Sequence, residues 1–444
     1  MTEFTTSASA TDAHLAGTVL AGEETSWQGL ASQLPQDLEA SAKASEALLR
    51  RRGVRCAADL LRMAFAYAVC DWPLRLVGAW LVTLGLANLS DVAILKRLKH
   101  CQRWLGLLVG QCLQQRSVWL AEPQRVRIRI VDATVVADAG QRNWYVHACF
   151  DLGAGCLAGV EVSDVHSGES LVRFPGQPGE IYLADRGYAH AKGLGSQLVK
   201  GVLLVVRCHW QNLALQQEDG SALGVLSWLR SSEASSFSQP SERPVRLTTP
   251  SGRFRLRLIA AALPQEALAR ARQRVREKAR QKGRTPSQDN LFACGFILVL
   301  TNLPAGDWAE PQVLALYRLR WQVELLFKRY KSVFHLANLR AHDPQLVQTY
   351  LLAKLLAALL VDQMLLTTRE LVPEWFTSLE RPVSLWRLSK WMWTQLARWV
   401  QGPITWAQIL AGGPHLQRYL CDSPRRRLQQ LAGARAFLSR LSTC

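Results

Sequence analysis

The hydrophobic period of this chain changes twice along its length. From about residue 46 to 120, apolar residues recur at three-and-four spacing, as in "SDVAILKRLKHCQRWLGLLVGQCLQQR", which predicts helices with Ser90 as an N-cap. After Pro123 the pattern becomes alternating or continuously apolar, which is typical of strands. The last hundred residues return to a helical pattern and are rich in tryptophan. The order of these patterns predicts a strand-rich core between two helical regions.

Five strands are predicted between residues 123 and 209. The run "RVRIRIVDATVV" alternates and then becomes apolar, which predicts a strand that ends at Asp132. The runs "WYVHACF" and "CLAGVEVS" predict a hairpin, and "EIYLADRGY" predicts a short buried strand that ends at Asp185. A helix in "AHAKGLGSQLVK" then leads to a fifth strand in "GVLLVVRCHW".

The region from about 210 to 290 has a different texture. It contains turn-rich segments, a hairpin pattern in "RPVRLTTPSGRFRLRLIA" and the very basic "QEALARARQRVREKARQKGR". Strand periodicity returns at "CGFILVLTNLP", followed by a helix from about Glu310 to Ser332. The predicted domains are therefore 1–122 (helical), 123–209 and 291–345 (two parts of a core), 210–290 (an insertion) and 346–444 (helical). Region 1–122 is interpreted either as a domain that binds the DNA ends or as a helical packing domain. A possible role of region 346–444 is dimer assembly.

The helix "LYRLRWQVELLFKRYKS" divides its residues between two faces at about 100° per residue. The apolar face is predicted to contact the core and consists of Leu316, Leu319, Val323, Leu326, Phe327 and Tyr330. The opposite arc of about 60° consists of Tyr317, Arg320, Glu324 and Lys331, with Lys328 at its margin. One interpretation is a solvated face with an Arg320–Glu324 ion pair. The other is a site in which the acid binds metal and the cations bind phosphate.

Composition favours a polyanionic partner. The 444 residues are 49% hydrophobic, as in a folded protein, and their formal net charge is +18. So large an excess of cations indicates nucleic acid before an anionic membrane. Ten cysteines without a CxxC pair, an N-terminus without a signal-peptide pattern, and apolar runs too short for a membrane span predict a cytoplasmic protein with no membrane partner.

Three acids are candidates for one metal site. Asp132 and Asp185 end predicted strands, and Glu324 lies on a cationic helix face, so all three side chains would be held rigidly. Carboxylates are the hard ligands that suit Mg²⁺ or Mn²⁺, and a pair of such ions can cleave a phosphodiester. Acids after strands are also common turn residues. Spacing alone does not select among these acids and their neighbours Asp138, Asp151, Asp164, His166 and Glu169.

The spacing Tyr317, two residues, Arg320, three residues, Glu324, six residues, Lys331 resembles the signature of the insertion-sequence-four family of bacterial DDE transposases. The blocks "IVDAT" around Asp132 and "LADRGY" around Asp185 resemble the family's two aspartate motifs. The basic "ARARQRVREKARQKGRTPS" before the last core strand is similar as well. The resemblance covers roughly residues 90 to 345.

The resemblance implies an α/β fold with an RNase H-like catalytic core, in which a mixed sheet has helices on both faces, and a mostly β insertion. It implies that Asp132, Asp185 and Glu324 are catalytic and bind two Mg²⁺ ions, for which Mn²⁺ can substitute. Phosphate contacts would come from Tyr317, Arg320, Lys331 and Lys328. The implied partners are double-stranded DNA, as inverted-repeat ends and target, and a second copy in the end complex; the implied location is the nucleoid of a bacterial cell.

Two other functions stay open beside a transposase that cuts and joins DNA. One is an RNase H-like nuclease without strand transfer, and the other is a non-catalytic DNA-binding derivative. Phe296 is the one aromatic residue in "CGFILVLTNLP", so it either captures a flipped base or belongs to the core.

The basic run has cations at every second position, so they surround a helix and leave no wide apolar stripe. These cations are Arg270, Arg272, Arg274, Arg276, Lys278, Arg280, Lys282 and Arg284. The segment is interpreted either as a solvated connecting helix or as an arm that follows the DNA backbone.

Overall fold

The fold is known from a computed structural model, which describes residues 27–32, 34–35, 37–49, 51, 53–119, 127–231, 239–377, 383–411 and 413–420. These residues form two compact units. One unit comprises the described residues up to Val109 together with those from Ala341 onward; the other comprises the described residues from Gly110 to Arg340. The predicted domain boundaries stay a prediction.

The described chain is helical in its first and last regions, as the sequence pattern predicts, and has further helices around the strands. In chain order the helices are α1 Trp27–Ser32, α2 Leu38–Ala44, α3 Ala57–Ala68, α4 Leu74–Thr83, α5 Asp91–His100, α6 Gln102–Trp119, α7 Ala191–Leu198, α8 Val225–Arg230, α9 Gln265–Gln281, α10 Gln288–Ala293, α11 Glu310–Arg318, α12 Trp321–Ser332, α13 Pro344–Leu371, α14 Glu374–Thr377, α15 Leu385–Gln401, α16 Trp406–Ala411 and α17 Gly413–Leu420. Ser90 caps α5 as predicted, because its hydroxyl accepts the Ala93 N–H at 3.2 Å.

The strands of the second unit form one mixed sheet. They are β1 Ile128–Ala137, β2 Asn143–Asp151, β3 Cys156–Asp164, β4 Ile181–Ala184, β5 Leu203–Cys208, β6 Leu215–Gln216, β7 Ser241–Thr249, β8 Gly252–Ala262 and β9 Phe296–Thr301. Within the described residues the order is β3-β2-β1-β4-β5-β9-β8-β7-β6, in which β4 is parallel to both β1 and β5. The hairpin predicted in "RPVRLTTPSGRFRLRLIA" is present as β7 and β8, and its strands extend the same sheet as the core strands.

Both faces of this sheet are covered. One face packs Val131, Ala184 and Val206 into a continuous core with Leu194 of α7 and Trp228 of α8. On the other face lie α11 and α12, of which Val313, Leu316, Val323, Leu326 and Phe327 are buried. The predicted α/β class, with helices on both faces of a mixed sheet, is confirmed.

The first strand corrects one prediction. It does not end at Asp132 but continues to Ala137, because the residues after Asp132 pair with β2 up to Asn143. The pairing of β1 with β4 does end there, since its last register pair is Val131 with Ala184. Asp132 therefore lies in the interior of a strand, at the point where the parallel partner stops.

The helix predicted from Glu310 to Ser332 is two helices, α11 and α12. At the junction Leu319 and Arg320 donate their backbone N–H groups to residues three positions earlier, at 3.0 Å each, which tightens the turn. The tighter turn rotates the faces relative to a single helix. Leu319, predicted to be in the core, is 39% exposed, whereas Tyr317, predicted to face away from the core, is 9% exposed.

Helix α13 is longer than its apolar run suggested. Its 28 residues are by length and composition long and apolar enough to cross a membrane, but 67% of the relevant window is buried inside the protein. Burial of this kind is typical of the core helix of a folded unit. Lys354 and Asp362, both on α13, are buried as well, and the Lys354 ammonium lies 4.5 Å from the centre of the Tyr350 ring.

Candidate active site

The strand register places the two candidate aspartates side by side. Because Val131 pairs with Ala184 in parallel, the next residues, Asp132 and Asp185, are neighbours across the two strands. Asp132 stays in β1, whereas Asp185 begins the turn of a short 3-10 helix that follows β4. The predicted position of Asp185 at a strand end is confirmed.

The third acid comes from α12, which packs on the same sheet face. Glu324 lies in the first turn of α12, half-buried, and the buried Val323 and Phe327 beside it fix the helix on the sheet. The tightened junction before α12 places Arg320 one turn earlier, at the helix start. Residues far apart in sequence therefore meet at one place.

Arg320 joins two of the three acids. Its Nη1 donates to Asp132 Oδ2 at 2.8 Å, and its Nη2 forms an ion pair with Glu324 Oε1. Tyr317 binds the third acid, because its hydroxyl donates a hydrogen bond to Asp185 Oδ1 at 3.2 Å. Asp132 also accepts the Ala133 N–H at 2.8 Å. The Arg320–Glu324 pair of the simple interpretation exists, and the same guanidinium also binds Asp132.

These side chains line one open cleft of about 520 Å³. All three acids line it, together with Arg320 and the two lysines predicted to bind phosphate, Lys328 and Lys331. Lys331 Nζ donates to the Val135 carbonyl at 2.9 Å, whereas Lys328 is exposed. Tyr317 is buried behind Asp185, so its position allows it to hold an acid more directly than a phosphate.

The two aspartates differ in their pKa. Burial raises the pKa of Asp132 to about 6, although the Ala133 N–H and the Arg320 guanidinium act in the opposite direction. Burial also acts to raise the pKa of Asp185, but the Arg186 N–H and the Arg320 guanidinium outweigh it, and that pKa lies below its usual range. Asp185 is therefore the more readily ionised of the two.

The neighbouring tyrosine and arginine are held in one protonation state. Burial, followed by the charge of Asp185, raises the pKa of Tyr317 to about 12, so its hydroxyl keeps the proton that it donates. Burial acts to lower the pKa of Arg320, but the hydrogen bond to Glu324 and nearby acids raise it above its ordinary value. Arg320 is thus a permanent cation among carboxylates.

The donor set agrees in kind with divalent metal ions, because three carboxylates line one cleft and carboxylate oxygens are the ligands that Mg²⁺ prefers. In the part of the chain that the structure describes, no three His, Cys, Asp or Glu side chains are spaced to share one ion as they lie. Arg320 contacts one oxygen of Asp132 and one oxygen of Glu324.

The basic run forms a helix outside the cleft. None of the residues of α9 is buried, and its half-buried positions are Ala267, Leu268, Ala271, Val275 and Ala279. Every candidate cation is exposed: Arg270, Arg272, Arg274, Arg276, Lys278, Arg280, Lys282 and Arg284. Phe296 is half-buried against the core and lies 5.3 Å from Phe292 between ring centres, which favours its interpretation as a core residue.

The other acids in this region mostly have structural partners. Asp138 accepts the Gly140 N–H at 2.8 Å and pairs with Arg142 at 3.0 Å, and Asp151 pairs with Arg129 at 2.9 Å. These contacts explain them as turn and core residues, a distinction that spacing could not make.

Glu169 is the neighbouring acid that remains near the site. A Cβ added at Gly187 would lie 1.5 Å from Glu169 Oε2, so the glycine of "LADRGY" leaves room for this carboxylate. Burial, followed by the charge of Asp185, raises the pKa of Glu169. Gly187 was the sequence signal that a side chain approaches closely at this point. Its neighbour Glu169 lies in a different segment and could not be identified from spacing.

Comparisons with known proteins agree with this geometry. A transposase DDE domain matches residues 123–360. InsL of insertion sequence element IS186A from Escherichia coli K12, named as a transposase, is 34% identical over 357 residues, which cover 78% of this chain and 96% of that protein. The transposase of IS421 from Escherichia coli is 34% identical over 358 residues with the same coverage, and that of IS231F from Bacillus thuringiensis subsp. israelensis is 24% identical over 287 residues, 55% of this chain and 58% of that protein. The chain belongs to the insertion-sequence-four family of DDE transposases.

Proposed function

We propose that this insertion-sequence transposase binds the inverted-repeat ends of its element, cleaves them at the cleft of Asp132, Asp185 and Glu324, and joins the 3′ ends to target DNA. The observation that carries the proposal is the meeting of three carboxylates from β1, the end of β4 and α12 in one cleft with lysines at its rim. Two Mg²⁺ ions, for which Mn²⁺ substitutes, would supply activation of the attacking oxygen and stabilisation of the leaving oxygen.

The protein's own residues position the acids and the DNA. Asp132 is rigid because it lies within a strand and its Oδ1 accepts the next N–H. Tyr317 fixes one oxygen of Asp185. Arg320 balances two carboxylates that would otherwise repel each other. If bound metal ions neutralised these acids, its planar guanidinium would be suited to bind a phosphate. Lys328 and Lys331 would hold the phosphates beside the cleaved bond.

The test is cleavage and joining of the element's own ends by the purified chain, with and without Mg²⁺. Donor-end cleavage with joining to a target supports a transposase, whereas cleavage without joining indicates a nuclease. Specific end binding without cleavage under any divalent-metal condition indicates a non-catalytic derivative. A homodimer is proposed for the end complex only, so light scattering with and without end DNA tests it separately.

A further inference from the structure

The hairpin of β7 and β8 brings like charges together. Arg246 on β7 lies directly opposite Arg255 on β8, and Arg253 is two residues before Arg255 on the same strand face. Directly opposite residues have Cβ atoms about 4.5–5.5 Å apart, and like charges there destabilise a strand pair. No acid of the described chain forms an ion pair with these three arginines, and Arg253 and Arg255 are exposed. The fold therefore holds two like charges directly opposite each other, with Asp219 close enough to attract Arg246 but not paired with it.

Arg257, two residues after Arg255 on the same face, is an arginine of this hairpin with a structural role. Its guanidinium forms a two-point ion pair with Glu242. Its Nη1 also donates to the carbonyls of Leu303 and Trp308, at 2.9 Å each. The contrast within one strand separates an arginine that holds the sheet together from arginines that do not.

The sheet register places these arginines on the face that carries the catalytic cleft. Residues that pair directly share a face, and alternate residues of one strand do as well. The connected positions on this face are Asp132, Ile130, Leu183, Val205, Thr301, Arg257 and Arg255. From β1 to β8 there are four strand spacings in the order β1-β4-β5-β9-β8, or about 19 Å at roughly 4.8 Å each. Arg255 also lies four residues from Asp132 along the strand direction, or about 13 Å at roughly 3.3 Å each, so the two positions are about 23 Å apart.

We propose that Arg246, Arg253 and Arg255 bind the phosphates of duplex DNA whose reacting end lies in the cleft. The proposal rests on the proposed function, since it takes that cleft as the place of cleavage. A strand of B-DNA covers about 23 Å in roughly seven nucleotides, at 3.4 Å each. The three arginines would thus bind the backbone about two thirds of a helical turn from the reacting bond, and a polyanion at that point relieves the repulsion between Arg246 and Arg255.

The decisive variant is Arg246→Gln/Arg253→Gln/Arg255→Gln, measured against wild type by fluorescence anisotropy on an end duplex at several salt concentrations. Loss of up to three phosphate contacts flattens the slope of log affinity against log salt by about 2–3.

Arg255→Gln alone should leave the Tm unchanged or raise it, since it removes a repulsion. The matched control Arg257→Gln should lower the Tm, because it removes an ion pair and two carbonyl contacts. Arg255→Lys, which keeps the charge, should restore most of the affinity lost in Arg255→Gln.

A triple variant with a wild-type salt slope, or Arg255→Gln with a Tm as low as that of Arg257→Gln, overturns the proposal. Failure of this inference can be distinguished from failure of the proposed function. If the proposed function is wrong, the wild-type protein cleaves no ends. If only this inference is wrong, the wild type cleaves ends and the triple variant cleaves and binds them as well as the wild type does. Binding of poly-glutamate that depends on the three arginines, without any such dependence for duplex DNA, overturns the proposal in favour of an acidic protein segment.

Discussion

The cleft and helix α9 both contain arginines, but these arginines are placed in opposite ways. Arg320 in the cleft is half-buried and forms ion pairs with Asp132 and Glu324. The arginines of α9 are exposed, none of them forms an ion pair with a described residue, and Glu277 hydrogen-bonds Gln273 on the same helix at 2.9 Å. One region fixes a single cation among acids, and the other presents many cations to solvent.

This difference teaches that charge has two uses in one DNA-processing chain. A paired, half-buried arginine fixes geometry, because its planar donors hold two carboxylates at defined distances. Exposed, unpaired cations fix little, but each can replace a counterion of DNA and so makes binding dependent on salt. Substitutions in the cleft should therefore affect chemistry, and substitutions in α9 should affect affinity.

The largest effect is expected from the acids. Asp132→Asn, Asp185→Asn and Glu324→Gln should each reduce end cleavage on the order of a thousandfold or more, because each removes a negative ligand from the cleft. Binding of end DNA, measured by gel shift in the absence of divalent ions, should change less than about threefold. Asp164→Asn is the matched control, since Asp164 is exposed and its Oδ1 accepts the His166 N–H at 3.0 Å in a turn. Equal loss of cleavage in the control would contradict the assignment.

A smaller loss of cleavage is expected for Arg320→Ala, of about a hundredfold, because the acids lose the cation that positions them. Its free energy of unfolding should fall far less than that of Leu326→Ala, a buried residue of the same helix, whose truncation should cost about 2–5 kcal/mol. Urea unfolding and a cleavage assay on the same preparations make the comparison. If Arg320→Ala were as destabilised as Leu326→Ala, the residue would be structural and the solvated-face interpretation would stand.

The contrast between the two regions also explains what the sequence could predict. The period of two predicted the strands, and the resemblance of local motifs to those of DDE transposases pointed to the three acids that line the cleft. The break between α11 and α12 depends on backbone hydrogen bonds to residues three positions earlier, which no apolar spacing reveals, so Leu319 was placed wrongly. Asp132 and Asp185 are neighbours because of the register of β1 against β4. This register joins strands that are far apart in sequence, so local patterns do not reveal it.

Helix α9 provides the third test. Arg272→Gln/Arg276→Gln/Arg280→Gln should flatten the slope of log affinity against log salt by up to about 2–3, with similar loss of affinity for all duplexes and little change in preference for the inverted repeat. The triple Arg270→Gln/Arg274→Gln/Lys278→Gln removes the same charge from another side of the helix. A difference in slope between the triples identifies the side that contacts DNA. An unchanged slope in the first triple would reject the arm and leave the solvated helix.

The smallest effect concerns Asp132 and the pH dependence of stability in metal-free protein. Its folded pKa of about 6 exceeds the ordinary aspartate value of roughly 3.9, so the folded state binds more protons than the unfolded state between these values. Stability from this group is therefore fully present below about pH 4 and is lost as pH rises through about 6. Asp132→Asn cannot ionise and should be more stable than wild type at pH 7, by about 1–2 kcal/mol, with no such gain at pH 4. Urea unfolding in chelator at both pH values measures the gain. A variant less stable than wild type at pH 7 would mean that the Arg320 ion pair outweighs burial, and the cleft would then stabilise the fold as well as bind its ligands.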